Sequence, residues 1–114
     1  MPRTPKRLRV LFPDKRVRVY YNLRPYLLIG RKTNKVREQD IDLSPYDTRV
    51  KGVSRYHAKI MPNDIHGLVL IDLTSANGTS LGGQRLQPHR NYPLNDGDSI
   101  KIGNLRIQIF FEFD

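Results

Sequence analysis

Residues 67–86 read GLVLIDLTSANGTSLGGQRL, and their punctuation decides the fold class. Leu68 to Leu73 is a short apolar run with β-branched residues, Asn77-Gly78 is a turn dipeptide, and the pairs Ser80-Leu81 and Arg85-Leu86 flank Gly82-Gly83. Two adjacent residues free to take positive φ are what a two-residue type I′ hairpin requires. The segment therefore predicts strand, loop, strand, tight hairpin, strand. The same pattern runs outward in both directions. Further candidate strands are Leu8 to Phe12, Val17 to Tyr21, Tyr26 to Ile29, Ile41 to Leu43, Ala58 to Met61, Ser99 to Ile102 and Leu105 to Phe113. Turn chemistry at Pro13-Asp14, Asn63-Asp64, Asn95-Asp96-Gly97 and Gly103-Asn104 separates them. No window of about eleven residues carries a 3.6-residue apolar stripe, so the chain is predicted to be all-β, a sandwich or small barrel with function on loops at one end.

The 114 residues suffice for one domain with a single core. Residues 1–6, with Pro2, Pro5, Arg3 and Lys6, are predicted to form a mobile basic arm, and residues 7–114 the domain. The absence of cysteine excludes a disulfide scaffold, a thiolate zinc site and thiol catalysis. His57, His66 and His89 have no second histidine at ligand spacing, so neither a metal nor another cofactor is expected. With no apolar run of about 18 residues and no secretory h-region, the expectation is a soluble cytoplasmic protein without membrane association.

Charge is unevenly distributed. Residues 1–37 hold 12 Lys and Arg against Asp14 alone, a net of +11, whereas residues 38–114 hold 8 Lys and Arg against 10 acids, a net of −2. Such a gradient fits either a surface for nucleic acid or an acidic partner, or the solvated face of an edge strand, as the alternation in RVRVYY suggests. A nucleic-acid reading needs aromatic stacking platforms, for which Tyr20, Tyr21 and Tyr26 are the candidates. The longest stretches without strand signal, Arg31 to Asp40 and Ser44 to His57, are where a site is expected.

Four features carry the candidate chemistry: Gly30-Arg31 after the apolar run YLLI, Gly52-Val53-Ser54-Arg55-Tyr56-His57 before a strand, Ser75-Ala76-Asn77-Gly78-Thr79 after a strand, and Asp96-Gly97-Asp98 before another. In this order and spacing they resemble the forkhead-associated (FHA) domain, over roughly residues 7 to 113. The resemblance implies a β-sandwich of two antiparallel sheets with binding loops at one end. It also implies a non-enzymatic module that binds phosphothreonine peptides in Ser/Thr-kinase signalling. The partner is then a threonine-phosphorylated protein, the kinase itself or its substrate, with nucleic acid as the alternative partner.

The residues suit that role on chemical grounds as well. A phosphate dianion favours a forked, permanently charged donor, which Arg31 supplies, and a hydroxyl donor, which Ser54 supplies. Arg55 offers a second cation, as the residue after this serine does in the family. Asn77 is implied to read the peptide backbone, since an amide both donates and accepts, while Ser75 either holds its loop or touches the phosphate. Gly30, His57 and Gly78 are expected to support the site. Ala76 stands where many relatives have a hydroxyl, so one donor is missing. Ser54-x-x-His57 also invites a hydrolase reading, but nothing in the spacing supplies a third member or an oxyanion hole. Nucleotide-binding glycine loops are absent.

Overall fold

The computed structural model describes residues 3–31 and 40–114. Eleven strands follow one another: β1 (Arg7–Leu11), β2 (Val17–Tyr20), β3 (Leu27–Gly30), β4 (Ile41–Asp42), β5 (Ala58–Asn63), β6 (Gly67–Asp72), β7 (Thr79–Leu81), β8 (Gln84–Arg85), β9 (Tyr92–Pro93), β10 (Ser99–Ile102) and β11 (Leu105–Glu112). Among the described residues there is no helix. The strands form two sheets, ordered β2-β1-β11-β10-β7-β8 and β4-β3-β5-β6-β9. An all-β sandwich results. All pairings are antiparallel except β3 with β4, where Ile29 lies opposite Ile41. A parallel pair needs a crossover of about a dozen residues, and residues 31–40 provide a connection of that order.

Alternation explains which face is inside. On the six-stranded sheet Leu8, Val10, Ile100, Ile102, Ile107 and Ile109 are buried, while Arg9, Lys101 and Arg106 between them are exposed. Leu27, Ile29, Ile60, Leu68 and Leu70 of the other sheet complete the core. β6 is buried along its whole length because β5 and β9 cover both its edges and both faces are sealed, hence its continuous apolar sequence. Tyr20 also belongs to the core, only 3% exposed, and desolvation pushes its phenol up to about 12. It is therefore no stacking platform, and Tyr26 lies beneath the Lys59 ammonium at 5.3 Å.

Each candidate strand has a counterpart within a residue or two at its ends. The Gly82-Gly83 hairpin forms as expected, with φ of 56° and 84° between the paired residues Leu81 and Gln84. The strand that the sequence reading lacked is β9: two residues containing a proline give no local signal, and the strand exists only through pairing at the edge of the sheet with Val69 and Leu70. Of the predicted mobile arm, residues 3–6 are described: Pro5 is buried, Thr4 donates to the Gly67 carbonyl, and Lys6 pairs with Asp114. Within the expected site segment Arg31 to Asp40, residues 32–39 lie outside the described residues.

Candidate functional site

Three loops meet at one end of the sandwich: the residue following β3, the long connection into β5, and the connection from β6 to β7. Ser54 joins them, with each of its polar groups engaged. Its carbonyl accepts from the Arg31 N–H at 3.1 Å, its N–H donates to His57 Nδ1 at 3.0 Å, and its Oγ accepts from the Ala76 N–H at 3.1 Å. A hydroxyl that accepts one bond keeps its own proton, so Ser54 O–H remains a donor aimed by its neighbours.

His57 is fully buried. Because Nδ1 accepts from Ser54, the ring carries its proton on Nε2 and donates it to the Gly78 carbonyl at 2.8 Å. Burial lowers the imidazole below its ordinary range, outweighing the opposing pull of the Gly78 carbonyl and Asp72. The ring thus ties two loops together as a neutral bridge. Neither nitrogen reaches Ser54 Oγ, so the pair lacks the contact that a nucleophile and base need.

The third loop is held from inside. Asp72, at the end of β6 and 2% exposed, accepts from the Ser75 hydroxyl, the Ser75 N–H and the Thr79 hydroxyl. Ser75 therefore spends its side chain on Asp72. Asn77 Nδ2 donates across to the Gly52 carbonyl at 3.1 Å. Beneath both loops the β10–β11 turn acts as a wedge: Gly103 N–H donates to the Gly78 carbonyl and Asn104 N–H to that of Lys51. A Cβ on Gly103 would stand 2.6 Å from the Lys51 and Gly52 carbonyl oxygens, so only glycine fits. Gly30 is fixed by the same kind of crowding, since a Cβ there would overlap the Arg55 carbonyl and lie 2.8 Å from that of Ser54.

Between these loops lies an open cleft of about 400 Å³ lined by Arg31, Thr48, Arg49, Val53, Ser54, Ala76 and Asn77, with Gly52 at its edge. Among the described residues, two cations and no carboxylate line it. Arg31 Nε is buried in the wall without a hydrogen-bond partner among the described residues. Arg55 does not line this cleft; it lines a small neighbouring recess together with Arg31, Asp40 and Asp42. The structure thus brings Arg31, Ser54 and Asn77 to one cleft and sets Arg55 beside it, with Gly30, His57, Ser75 and Gly78 in the supporting layer.

A family model described as "FHA domain" matches residues 27–103. The chain belongs to the FHA family. Solved FHA domains superpose on it closely. That of an Arabidopsis thaliana hypothetical protein is 28% identical, with a TM-score of 0.75 over 97% of this chain and 89% of its own. A structure from a study of phosphothreonine-dependent FHA domain interactions is 26% identical, with a TM-score of 0.68 over 93% of this chain and 97% of its own. The N-terminal FHA domain of S. cerevisiae Rad53p, solved with a phosphothreonine peptide, shares the fold at 23% identity and a TM-score of 0.69, over 92% of this chain and 93% of its own. No curated protein matches the sequence.

Within this FHA domain the Asp96-Gly97-Asp98 motif serves the sheet and not the cleft. Gly97 N–H donates to the Ile109 carbonyl, Phe111 N–H to Asp96 Oδ1, and Asn95 N–H to Asp98 Oδ2. Sequence reading missed Asp72, Arg49 and Gly103. Asp72 did leave a signal, a carboxylate inside an otherwise apolar run, which is costly unless hydrogen-bonded. Arg49 and Gly103 left none, because their importance depends on which loops meet.

Proposed function

We propose that this FHA domain binds phosphothreonine peptides as a non-catalytic module of Ser/Thr-kinase signalling in the cytoplasm, its partner being a threonine-phosphorylated kinase or kinase substrate. The observation that carries the reading is the buried Arg31 Nε, without a hydrogen-bond partner among the described residues, in the wall of a cleft whose described lining holds two cations and no acid. A buried donor without a partner costs about 1–3 kcal/mol, a cost that an anionic ligand would relieve. In this reading the Arg31 guanidinium forks onto two phosphate oxygens and the Ser54 hydroxyl donates to a third. Arg55 adds a second positive charge from beside the cleft. Asn77 reads the backbone of the extended peptide, and Ser75, His57, Gly30 and Gly78 keep the loops at their spacing. Related FHA domains, one from a study of phosphothreonine-dependent interactions and one solved with a phosphothreonine peptide, support phosphothreonine as the ligand.

Titration calorimetry with a phosphothreonine peptide library, its unphosphorylated counterparts and phosphatase-treated controls tests it. Phosphorylated peptides are expected to bind and both controls to fail. Equal binding of phosphorylated and unphosphorylated peptides would remove Arg31 from its role as anchor.

A further inference from the structure

The outer face of the six-stranded sheet carries a row of cations that the binding cleft does not use. Register places Arg85 opposite Ser80, Ser80 opposite Lys101, and Lys101 opposite Arg106, so the four side chains cross β8, β7, β10 and β11 on one face. Arg85, Lys101 and Arg106 are exposed. Like charges directly opposite each other across antiparallel strands are destabilising. Lys101 and Arg106 nevertheless stand so, and among the described residues no carboxylate lies within ion-pair distance of any of the three. Neighbouring cations of the same sheet are treated differently, since Arg7 and Arg9 both pair with Glu112. Two shallow clefts, about 320 and 150 Å³, open on either side of Arg106 and share Ser99.

The row also begins at the peptide cleft. The Arg85 guanidinium lies over Gly78, 2.8 Å from where a Cβ of that residue would stand, and Gly78 follows Asn77 directly. From β8 to β11 are three strand spacings of about 4.8 Å, roughly 14 Å in all. Four extended residues at about 3.3–3.6 Å each cover that distance. A peptide that leaves the cleft past Asn77 therefore reaches Arg85, Lys101 and Arg106 within a few residues.

We propose that the row Arg85–Lys101–Arg106 docks an acidic segment of the same partner that presents the phosphothreonine, a run of Asp and Glu separated from it by a short spacer. This rests on the phosphothreonine reading of the cleft. The charge complementarity is one-sided, a row of cations with no carboxylate within ion-pair distance among the described residues. Ser80 and Ser99 add hydroxyl donors, whereas an aromatic platform for nucleobases does not stand in the row.

The test compares three kinds of phosphothreonine peptide by calorimetry: a core peptide, the core with a Glu-rich extension at its N-terminus or at its C-terminus, and the core with a Gly-Ser extension of equal length at the matching end. Each is titrated into the wild-type domain and the double variant Lys101→Ser/Arg106→Ser, whose fold is checked by thermal melting. The acidic extension is expected to tighten binding roughly tenfold from one end at low salt, a gain suited to a few exposed ion pairs. That gain should vanish in the double variant and fade at high salt, while the core peptide binds both proteins equally. No gain from either end, or a gain that persists in the double variant, overturns the proposal. Loss of duplex DNA or RNA binding in the double variant, with no gain from acidic peptides, would assign the row to nucleic acid instead. Failure of the core peptide to bind would strike the phosphothreonine reading itself, an outcome separate from failure of the extension.

Discussion

Arg31 and His57 show how one side chain can be made for a ligand and another for the frame that holds it. Arg31 Nε is buried and without a hydrogen-bond partner among the described residues, so removing the side chain costs the domain little and the complex much. A hydrogen bond to a charged group is worth about 1.5–3 kcal/mol, so Arg31→Ala is expected to weaken phosphopeptide binding by roughly ten- to a hundredfold or more in calorimetry, at an unchanged melting temperature. Arg31→Lys keeps the charge and loses the fork, and should fall between the two. His57 is different, because its Nδ1 must accept the Ser54 N–H. Its imidazole titrates lower in the folded domain than in the unfolded chain, so the unfolded chain binds the extra proton first. Stability from this bridge is thus complete above the unfolded value of about 6.5 and is lost as pH falls through the lower folded value. Thermal melts across pH 5 to 8 should be flat above that point and fall below it. In NMR titration the Ser54 amide should shift together with the His57 ring.

At the scale of elements, two tight turns that each open on a glycine of nearly equal φ have different duties. Gly82 takes φ of 56° with nothing within 4 Å of its absent Cβ, whereas Gly103 takes φ of 57° against the Lys51 and Gly52 carbonyls. An L-residue in that left-handed region costs about 1–2 kcal/mol, so Gly82→Ala should lower the free energy of unfolding by that amount, read as a lower urea midpoint at an unchanged m-value, with unchanged affinity for a core phosphopeptide. Gly103→Ala pays the same strain and also pushes on the loops carrying Gly52 and Gly78. It is expected to destabilise more and to reduce phosphopeptide affinity as well. Equal affinities for the two variants would mean that the β10–β11 turn does not hold the cleft. The element that sequence could not show, β9, follows the same logic. Tyr92-Pro93 becomes a strand because Val69 and Leu70 offer it an edge.

The whole molecule is closed by its ends. β1 and β11 pair along five residues, from Arg7 opposite Glu112 to Leu11 opposite Gln108, and Lys6 and Asp114 meet at 2.7 Å. Lys6 and Asp114 are close enough for a linker to join the segments that carry them. A circular permutant with a short Gly-Ser linker between them and new ends at Gly82-Gly83 is expected to fold cooperatively and to bind a core phosphopeptide within about twofold of the parent chain. Circular dichroism melts and calorimetry would check it. A permutant that fails to fold would show that the β7–β8 hairpin is needed to nucleate the sheet.

The all-β class was legible in the chain because period-two alternation and turn residues act locally: Leu8, Val10, Ile100, Ile102, Ile107 and Ile109 mark the inner face before any pairing is known. The order of Gly30-Arg31, Ser54, His57 and Asn77 likewise announced the family, since a glycine under a carbonyl and a histidine between two loops leave fixed identities at fixed spacing. Tertiary structure alone decided the rest. Charge counted along the chain pointed to residues 1–37, yet Arg7 and Arg9 are paired, and the row without an ion pair among the described residues is Arg85, Lys101 and Arg106, from the part whose net charge is negative. Only strand order places those three side by side. Asp72, Ser75 and Thr79 form one hydrogen-bonded cluster, and Gly103 wedges two distant loops, because the sandwich folds them together. Local chemistry fixes what each residue can do, whereas partners far apart in sequence are set by register and topology, which no short stretch encodes.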